Sequence, residues 1–403
     1  MFKFSVTRED ILKPVEMISG PAPTGDDKLV DAIIKNVYLS AFKVNHEEDD
    51  SLYPNLKEAE YGLLMKCTDT EIEMMTAIPL LNSFEIEEGE TTVSVDKLKS
   101  IIKSLPEGSI INFSLEANNV KVATQVNTFN LVTQPAIQFP SIDSSEPIYS
   151  LLIKKNSLLN LLRSTSFSLA QDNYRMYLKG MRFSFDEKIL HVYAADGHRL
   201  SMNNCELEDI TFYDEPEDKG FLCPKKGVME LIKVLEQNKE LEEPITLTLS
   251  RNCLKTNVGN VILVSKLIDL EYPPVETLIP NSCEIYITVD KEEFLQSLRR
   301  VGILSSKTNS VDLLLDKRQL VLSSRNNFNE EAKEVLVPIE CSDNTNEIIM
   351  NSNYLIDICK AISNKQIKIS MSITSKNALI EPICSENEEI NNAKYVVSRR
   401  IKG

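Results

Sequence analysis

The sequence predicts an α+β protein made of three similar units, because two kinds of helix-like segment each occur three times. The first kind begins with polar residues and then places apolar residues at helical spacing; its copies span 6–18, 153–169 and 289–304. The second kind precedes a stretch with strand-like alternation; its copies span 95–105, 226–235 and 353–362. The repeat predicts two helices and about eight short strands in each unit.

The positions of the copies divide the 403 residues into units of about 134 residues. We expect domains at 1–145, 146–281 and 282–403, because IQFPSIDSSEP and LEYPPVETLIPNS each place an aromatic–Pro step before a polar stretch. In the first helix, Pro14 predicts a short or kinked element. The acidic segment 44–60, VNHEEDDSLYPNLKEAE, interrupts the pattern and is expected to be an exposed, mobile insertion.

Composition excludes several classes of protein. Apolar residues make up 42% of the chain and charged residues 26%, which is typical of globular proteins. No apolar run approaches the roughly 18–20 residues of a membrane span, and the start has no secretory pattern, so we expect a cytoplasmic protein. The eight cysteines are at least 18 residues apart, form no C-x-x-C motif and are expected to be reduced and buried.

Known catalytic and cofactor motifs are missing from the sequence. It contains no G-x-G-x-x-G, no phosphate-binding P-loop and no H-E-x-x-H, so we expect neither a cofactor nor a metal site. Asp196 and His198, in AADGHRL, leave a hydrolase open as an alternative, but no nucleophile elbow accompanies them. The sequence therefore favours a non-enzymatic protein.

Positive charge is concentrated on the helix-like segments. The chain carries a net charge of −16, yet its six helical segments together carry +6 by the count of their side chains. An acidic body with a mildly basic helical surface can hold a duplex backbone without reading bases. The alternative is that these lysines are ordinary solvated helix faces.

Three stretches resemble a known family. FSLAQDNYRMYLKGMRFSF (167–185), LHVYAADGHRL (190–200) and LCPKKGVMELIKVL (222–235) are similar to the bacterial sliding clamp family, the beta subunits of DNA polymerase III. The resemblance implies three clamp domains per chain and two chains joined head to tail in a ring, with helices lining the central hole. It implies a processivity factor that encircles duplex DNA and tethers polymerase and clamp-loader subunits.

The resemblance also implies three groups of site residues. A cleft for partner peptides is expected to contain Leu178, Ala195, Gly197, His198, Arg199, Leu200, Pro273, Leu278, Tyr354, Val396 and Val397, with Arg199 and His198 as its polar edge. The residues expected to face DNA are Lys28, Lys97, Lys99, Lys103, Lys154, Lys155, Arg175, Tyr177, Lys225 and Lys226. The expected dimer interface joins Phe129 and Leu131 of one chain to Ile303 and Leu304 of the other.

The chain departs from the family pattern in places that affect the cleft. Ala195 stands where Thr is common, Thr277 where a basic residue is frequent, and the ending SRRIKG (398–403) replaces a largely apolar one. These departures leave open a second function, an acidic clamp-like scaffold that binds peptides without encircling DNA.

Overall fold

The chain folds into two compact units. The computed structural model describes residues 2–25, 31–46, 52–80, 85–216, 218–280, 282–316, 318–343, 345–372, 375–384 and 391–399. Unit 1 consists of Met1–Lys155, Glu208–Glu217 and Lys226–Leu267. Unit 2 consists of Asn156–Leu207, Asp218–Lys225 and Ile268–Gly403. Each unit thus contains part of the middle third of the chain.

Among the described residues, the helices of the first third of the chain are α1 (Arg8–Ile18) and α2 (Val95–Ser104). Its strands are β1 (Lys3–Thr7), β2 (Asn36–Lys43), β3 (Tyr61–Thr68), β4 (Ile72–Pro79), β5 (Gly89–Ser94), β6 (Ile110–Glu116), β7 (Asn119–Ala123) and β8 (Thr128–Gln134). Helix α1 begins where the Thr7 side chain accepts the N–H of Asp10. It extends over 11 residues through Pro14, so the helix is not short, and the alternative of a kink at Pro14 stays a prediction.

The middle third contains α3 (Lys155–Ser166) and α4 (Lys225–Gln237). Its strands are β9 (Pro147–Ile153), β10 (Gly180–Asp186), β11 (Ile189–Ala195), β12 (Arg199–Glu206), β13 (Asp209–Phe212), β14 (Gly220–Pro224), β15 (Ile245–Ser250), β16 (Cys253–Val258) and β17 (Val261–Lys266). The repeat of two helices and a similar number of strands is therefore present again.

The last third contains α5 (Lys291–Gly302) and α6 (Ser352–Ala361). Its strands are β18 (Ile285–Asp290), β19 (Ser310–Asp316), β20 (Gln319–Arg325), β21 (Glu331–Leu336), β22 (Glu340–Cys341), β23 (Asn346–Asn351), β24 (Gln366–Met371), β25 (Asn377–Ile383) and β26 (Lys394–Ser398). Both helices begin at a side-chain cap, Asp290 for α5 and Asn351 for α6. Within the part of the chain that the structure describes, the elements given above confirm the predicted pattern of two helices and about eight strands per repeat.

Antiparallel pairing joins consecutive thirds of the chain. Among the described residues, unit 1 has a 13-stranded sheet in the order β1-β6-β7-β8-β5-β2-β3-β4-β17-β16-β15-β9-β13. Unit 2 has a nine-stranded sheet, β14-β10-β11-β12-β26-β25-β24-β18-β22, and a four-stranded sheet, β21-β20-β19-β23. We call the β4–β17 pair the first seam and the β12–β26 pair the second seam.

Helices bury one apolar face against these sheets. In unit 2, Phe294 and Leu298 of α5 and Leu355 of α6 are at most 1% exposed and pack with Leu313 and Ile367 of the strands. Each such side chain contributes about 1.5–3 kcal/mol to folding by leaving water. None of the described helices is long and apolar enough to cross a membrane.

Two expectations from the sequence need correction. All eight cysteines are free, as expected, but Cys384 is exposed and Cys205, Cys283 and Cys341 are only half-buried. The insertion 44–60 is not simply exposed, because Tyr53 is 5% and Leu56 0% exposed. Residues 47–51 of the insertion lie outside the described residues.

Candidate functional site

An apolar cluster beside the second seam contains much of the expected cleft. Its buried members, which we call the unit 2 cluster, are Ala170, Leu178, Tyr193, Ala195, Leu200, Val275, Leu379 and Val396. Partly buried side chains pack against it; these are Tyr177, Met202, Tyr272 and Ile279. Leu278, 45% exposed, ends the short turn Val275–Leu278, and its carbonyl accepts a hydrogen bond from Asn377 at 2.9 Å. An apolar surface with an exposed leucine at its edge is suited to an apolar ligand.

The structure brings together only part of the predicted cleft. Leu178, Ala195, Leu200 and Val396 belong to the unit 2 cluster. Val397 belongs instead to the core around α5 and α6, where it is 0% exposed, so the prediction for Val397 is corrected. The reason is strand alternation, since neighbouring residues of β26 point to opposite faces of the sheet. Residues 400–403 of the altered ending lie outside the described residues.

A tight turn places the polar residues beside this cluster. The Asp196 carboxylate accepts the backbone N–H groups of His198 at 2.8 Å and Arg199 at 3.0 Å. Gly197 has a φ of +95°, and a Cβ there would lie 3.2 Å from the Arg175 guanidinium. The backbone conformation therefore favours glycine here, and a larger residue would press against the end of the Arg175 side chain. The turn leaves His198 exposed, as expected for an edge residue.

Arg199 connects elements of unit 2 and is not free to meet a ligand. Its guanidinium donates to Asp196 at 3.1 Å, to Asp357 of α6 at 2.8 Å and to the Phe167 carbonyl at 2.8 Å. The rings of Phe167 and Tyr354 lie 5.2 and 4.6 Å from its central carbon. The side chain is 11% exposed. Arg199 therefore joins β12 to α6, with the Tyr354 ring packed against its guanidinium. This corrects the prediction of Arg199 as a polar edge.

Arg175 and Tyr272 supply polar groups that sequence reasoning did not assign to this site. The Arg175 Nε and the Tyr272 hydroxyl are buried, and neither has a hydrogen-bond partner among the described residues. Burial raises the pKa of Tyr272, so the hydroxyl keeps its proton and remains a donor. Unpaired buried donors cost stability and are satisfied when a ligand supplies acceptors. The R-x-x-L spacing of Arg175 and Leu178 was the signal that could have placed Arg175 here.

The geometry gives no catalytic pair at Asp196 and His198. The Asp196 carboxylate is engaged by the backbone of His198 and Arg199 and by the Arg199 side chain. In the part of the chain that the structure describes, no group of three or more His, Cys, Asp or Glu side chains could hold a metal ion. The hydrolase alternative therefore has no support in this site.

Four of the predicted DNA-facing lysines are exposed. They are Lys97 and Lys103 of α2, Lys154, which precedes α3, and Lys226 of α4. Lys103 forms an ion pair of 2.7 Å with Glu16, with both side chains substantially exposed, so its charge remains accessible to solvent. Exposed lysines of this kind can approach phosphates without a fixed geometry. Lys28 lies outside the described residues.

Two further predicted lysines, Lys155 and Lys99, donate hydrogen bonds within the protein. Lys155 is 5% exposed, and its Nζ donates to the carbonyls of Asn238, Lys239 and Leu241, so its prediction as DNA-facing is wrong. The acceptors follow the C-terminal end of α4, where backbone carbonyls lack helical partners. Lys99 donates to Ser19 at 3.1 Å.

Two adjacent lysines of α4 have different partners. Lys225 donates to the Leu169 carbonyl at 3.3 Å, and burial lowers its pKa. Lys226 is held by the Asp69 carboxylate and the Pro21 carbonyl. Neither residue is an unengaged contact for DNA.

Each unit has a strand edge with exposed apolar side chains. In unit 1, Val126 in the turn before β8 and Val132 of β8 are 87% and 76% exposed, whereas Leu131 is 7% exposed and faces its own core. This corrects Leu131 as an interface residue and adds two residues that the sequence analysis missed. In unit 2, the predicted Ile303 is 78% exposed. More exposed apolar side chains lie before, in and after β21; these are Phe328, Val335, Val337 and Ile339. Such edges are prone to pair with another chain.

Comparison with known proteins settles the family. Sequence models of the DNA polymerase III beta subunit match the N-terminal domain over residues 55–143, the central domain over 152–274 and the C-terminal domain over 276–396. The chain belongs to the DNA polymerase III beta subunit family. The beta sliding clamp of Salmonella typhimurium is 30% identical over 396 residues, and that of Haemophilus influenzae is 28% identical over 396 residues; both matches cover 98% of each chain.

Solved structures agree with this family. The DNA polymerase III beta subunit of Pseudomonas aeruginosa superposes with a TM-score of 0.84 at 26% identity, covering 99% of this chain and 100% of that one. The sliding clamp from the same organism bound to griselimycin gives 0.85 at 26% identity and covers both chains fully. The resemblance drawn from the sequence, the α+β fold of three clamp domains and the prediction of a non-catalytic sliding clamp are confirmed.

Proposed function

We propose that two copies of this chain close head to tail into a ring around duplex DNA, and that the ring tethers polymerase and clamp-loader subunits. The family supports this proposal, and so do the two apolar strand edges. Val132 of β8, Val126 in the turn before it and Val335 of β21 present exposed apolar surface. Strand β8 pairs with β7 but meets β5 only at Thr133 and Gln134, so among the described residues its earlier part has one side available for a partner strand. Among the described strands, β21 pairs only with β20. An edge of each unit is thereby available to the other chain.

The unit 2 cluster is the proposed site for partner peptides. The single observation that carries this assignment is an apolar surface next to two buried, unpaired donors, Arg175 Nε and the Tyr272 hydroxyl. A peptide supplies what both features lack, because its side chains are apolar and its backbone carbonyls accept hydrogen bonds. Griselimycin, bound to the Pseudomonas aeruginosa clamp, is a convenient probe, and we propose that it occupies this cluster here.

Contact with DNA is proposed to be weak and independent of sequence. Lys97, Lys103 and Lys154 supply exposed positive charge, while the chain as a whole carries −16. A closed ring stays on DNA by topology, so it needs few phosphate contacts. The three domain boundaries given above and a cytoplasmic location remain part of the proposal.

Topological retention tests this function. Labelled protein is loaded onto nicked circular DNA with a clamp loader and ATP, then passed through a sizing column at high salt before and after the DNA is linearised. Retention on the circle and loss from the linear form support a ring, because charge contacts are screened by salt. The double variant Ile303→Ala, Leu304→Ala should be lost from both forms. Equal loss of the unmodified protein, with a loader proven on another clamp, would favour the scaffold alternative.

A further inference from the structure

The two seams are built alike at atomic detail. In β4, Glu73 pairs with Val264, and in β12, Leu200 pairs with Val396. The turn before each strand has the same hydrogen bonds. Asp69 accepts the N–H groups of residues 71 and 72 at 2.9 and 2.8 Å, just as Asp196 accepts those of residues 198 and 199. The repeat therefore assigns Glu73 to the position of Leu200 and Val264 to the position of Val396.

A second apolar cluster lies at the corresponding place of the first seam. Its buried members, which we call the unit 1 cluster, are Val44, Tyr53, Leu56, Ala77, Ile142, Cys253, Ile262 and Val264. Val264 corresponds to Val396 of the unit 2 cluster. Ile142 corresponds to Val275, because the two lie at the same place in FPSI (139–142) and YPPV (272–275). The same repeat thus creates an apolar cluster at each seam.

The insertion fills the unit 1 cluster from within the same chain. Tyr53 and Leu56 are 5% and 0% exposed, and they lie three residues apart on the short turn that contains Pro54–Leu56. Asn55 between them donates to the Ala77 carbonyl of β4 at 2.8 Å. Two apolar side chains in a cluster and one hydrogen bond to the neighbouring strand are the contacts that a bound peptide makes.

Polar contacts also hold a neighbouring loop against the first seam. Glu73 is 2% exposed, and its carboxylate accepts the Ser141 hydroxyl at 3.1 Å and the Ile142 N–H at 3.3 Å. At the corresponding position of the second seam, Leu200 presents an apolar side chain to the unit 2 cluster. The loop that borders the unit 1 cluster is therefore tied down by a buried carboxylate.

We propose that residues 52–56 act as a built-in ligand of the first seam, so that of the two clusters only the unit 2 cluster is left open to a partner. The occupant is this segment of the chain itself. The Val44 N–H donates to the Glu60 carbonyl at 2.9 Å, so the two ends of the insertion are joined. This bond keeps residues 52–56 next to the unit 1 cluster. Tethering makes the contact intramolecular and favours it over any free peptide. Only the statement that the unit 2 cluster is open rests on the proposed function.

Hydrogen exchange measured by mass spectrometry tests the proposal, with the second seam as an internal reference. The variant Tyr53→Ala, Leu56→Ala should speed exchange at least tenfold in β4 and β17 and leave β12 and β26 unchanged. The matched control Lys57→Ala, Glu58→Ala alters exposed residues of the same segment and should change neither seam.

Two results would overturn the proposal. One is unchanged exchange in β4 and β17, which would mean that the segment does not hold the first seam. The other is equal acceleration in β12 and β26, which would mean a general loss of stability. If the double variant fails to fold, Leu56→Val is measured instead, with a smaller acceleration expected at the same two strands. Peptide binding at the unit 2 cluster is not part of this readout, so a failure here is distinct from a failure of the proposed function.

Discussion

The first and second seams have the same strand pairing and the same Asp-capped turn, yet one is closed and the other has an exposed edge. At the first seam, Tyr53 and Leu56 complete the unit 1 cluster and Glu73 holds the adjoining loop. At the second, Leu278 is 45% exposed beside the unit 2 cluster, and Arg175 Nε has no partner among the described residues. A repeat of the fold therefore does not repeat the function, which depends on what covers each copy.

Among variants of the two seams, the substitution of Arg199 should lower the stability of the second seam most. We expect Arg199→Ala to lower the free energy of unfolding by about 3 kcal/mol, because it leaves Asp196 and Asp357 without their common partner. Urea unfolding followed by circular dichroism measures this change. The control Lys121→Ala breaks an exposed ion pair with Glu116 and should cost less than about 1 kcal/mol. Equal effects of the two variants would refute a supporting role for Arg199.

Exchanging Leu200 and Glu73, the corresponding residues of the two seams, tests which seam binds the ligand. Leu200→Glu places a carboxylate in the unit 2 cluster and should weaken griselimycin binding about 100-fold, because the buried charge has no partner. Glu73→Leu should leave that affinity unchanged and lower stability by about 2 kcal/mol, since the Ile142 N–H loses its acceptor. Calorimetry and urea unfolding measure the two effects. A loss of affinity in Glu73→Leu would show that the ligand uses the first seam.

The exposed edge of the unit 2 cluster should contribute less to ligand binding than its buried part. Leu278→Ala is expected to weaken griselimycin binding about fivefold, since roughly half of a leucine side chain remains to be buried, worth about 1 kcal/mol. Leu270 is 49% exposed and lies outside the cluster, so Leu270→Ala serves as the matched control and should have no effect. If both variants bind as tightly as the unmodified chain, the ligand does not reach Leu278.

Of all these variants, the substitutions at Lys225 and Lys226 should have the smallest effects on stability. Burial lowers the pKa of Lys225, so the unfolded state binds its proton more tightly and stability rises with pH below the ordinary lysine pKa of about 10.4. Lys225→Met should remove this rise and change stability at pH 7 by less than about 0.5 kcal/mol after screening. Lys226→Met loses the ion pair with Asp69 and should be slightly destabilising at pH 7. An alkaline rise that persists in Lys225→Met would contradict the assignment.

Most of the fold was predictable because its signals are local and repeated. Helical and strand periodicity occurs three times. The resemblance at AADGHRL named Leu200 as a cleft residue, and Leu200 is a member of the unit 2 cluster. The errors concern contacts between residues distant in sequence. Lys155 is buried by carbonyls at positions 238, 239 and 241, which no local pattern reveals. Tyr53 and Leu56 are two apolar residues in an acidic stretch, and their burial depends on strands far along the chain.

Hydrogen exchange in the presence of griselimycin tests whether the second seam is open to a ligand and the first is closed. We expect one ligand per chain by calorimetry, with slower exchange in β12, in β26 and in the loop 272–279. Exchange in β4, in β17 and in residues 139–142 should not change. Two ligands per chain, or slower exchange in β4 and β17, would show that the first seam is also open.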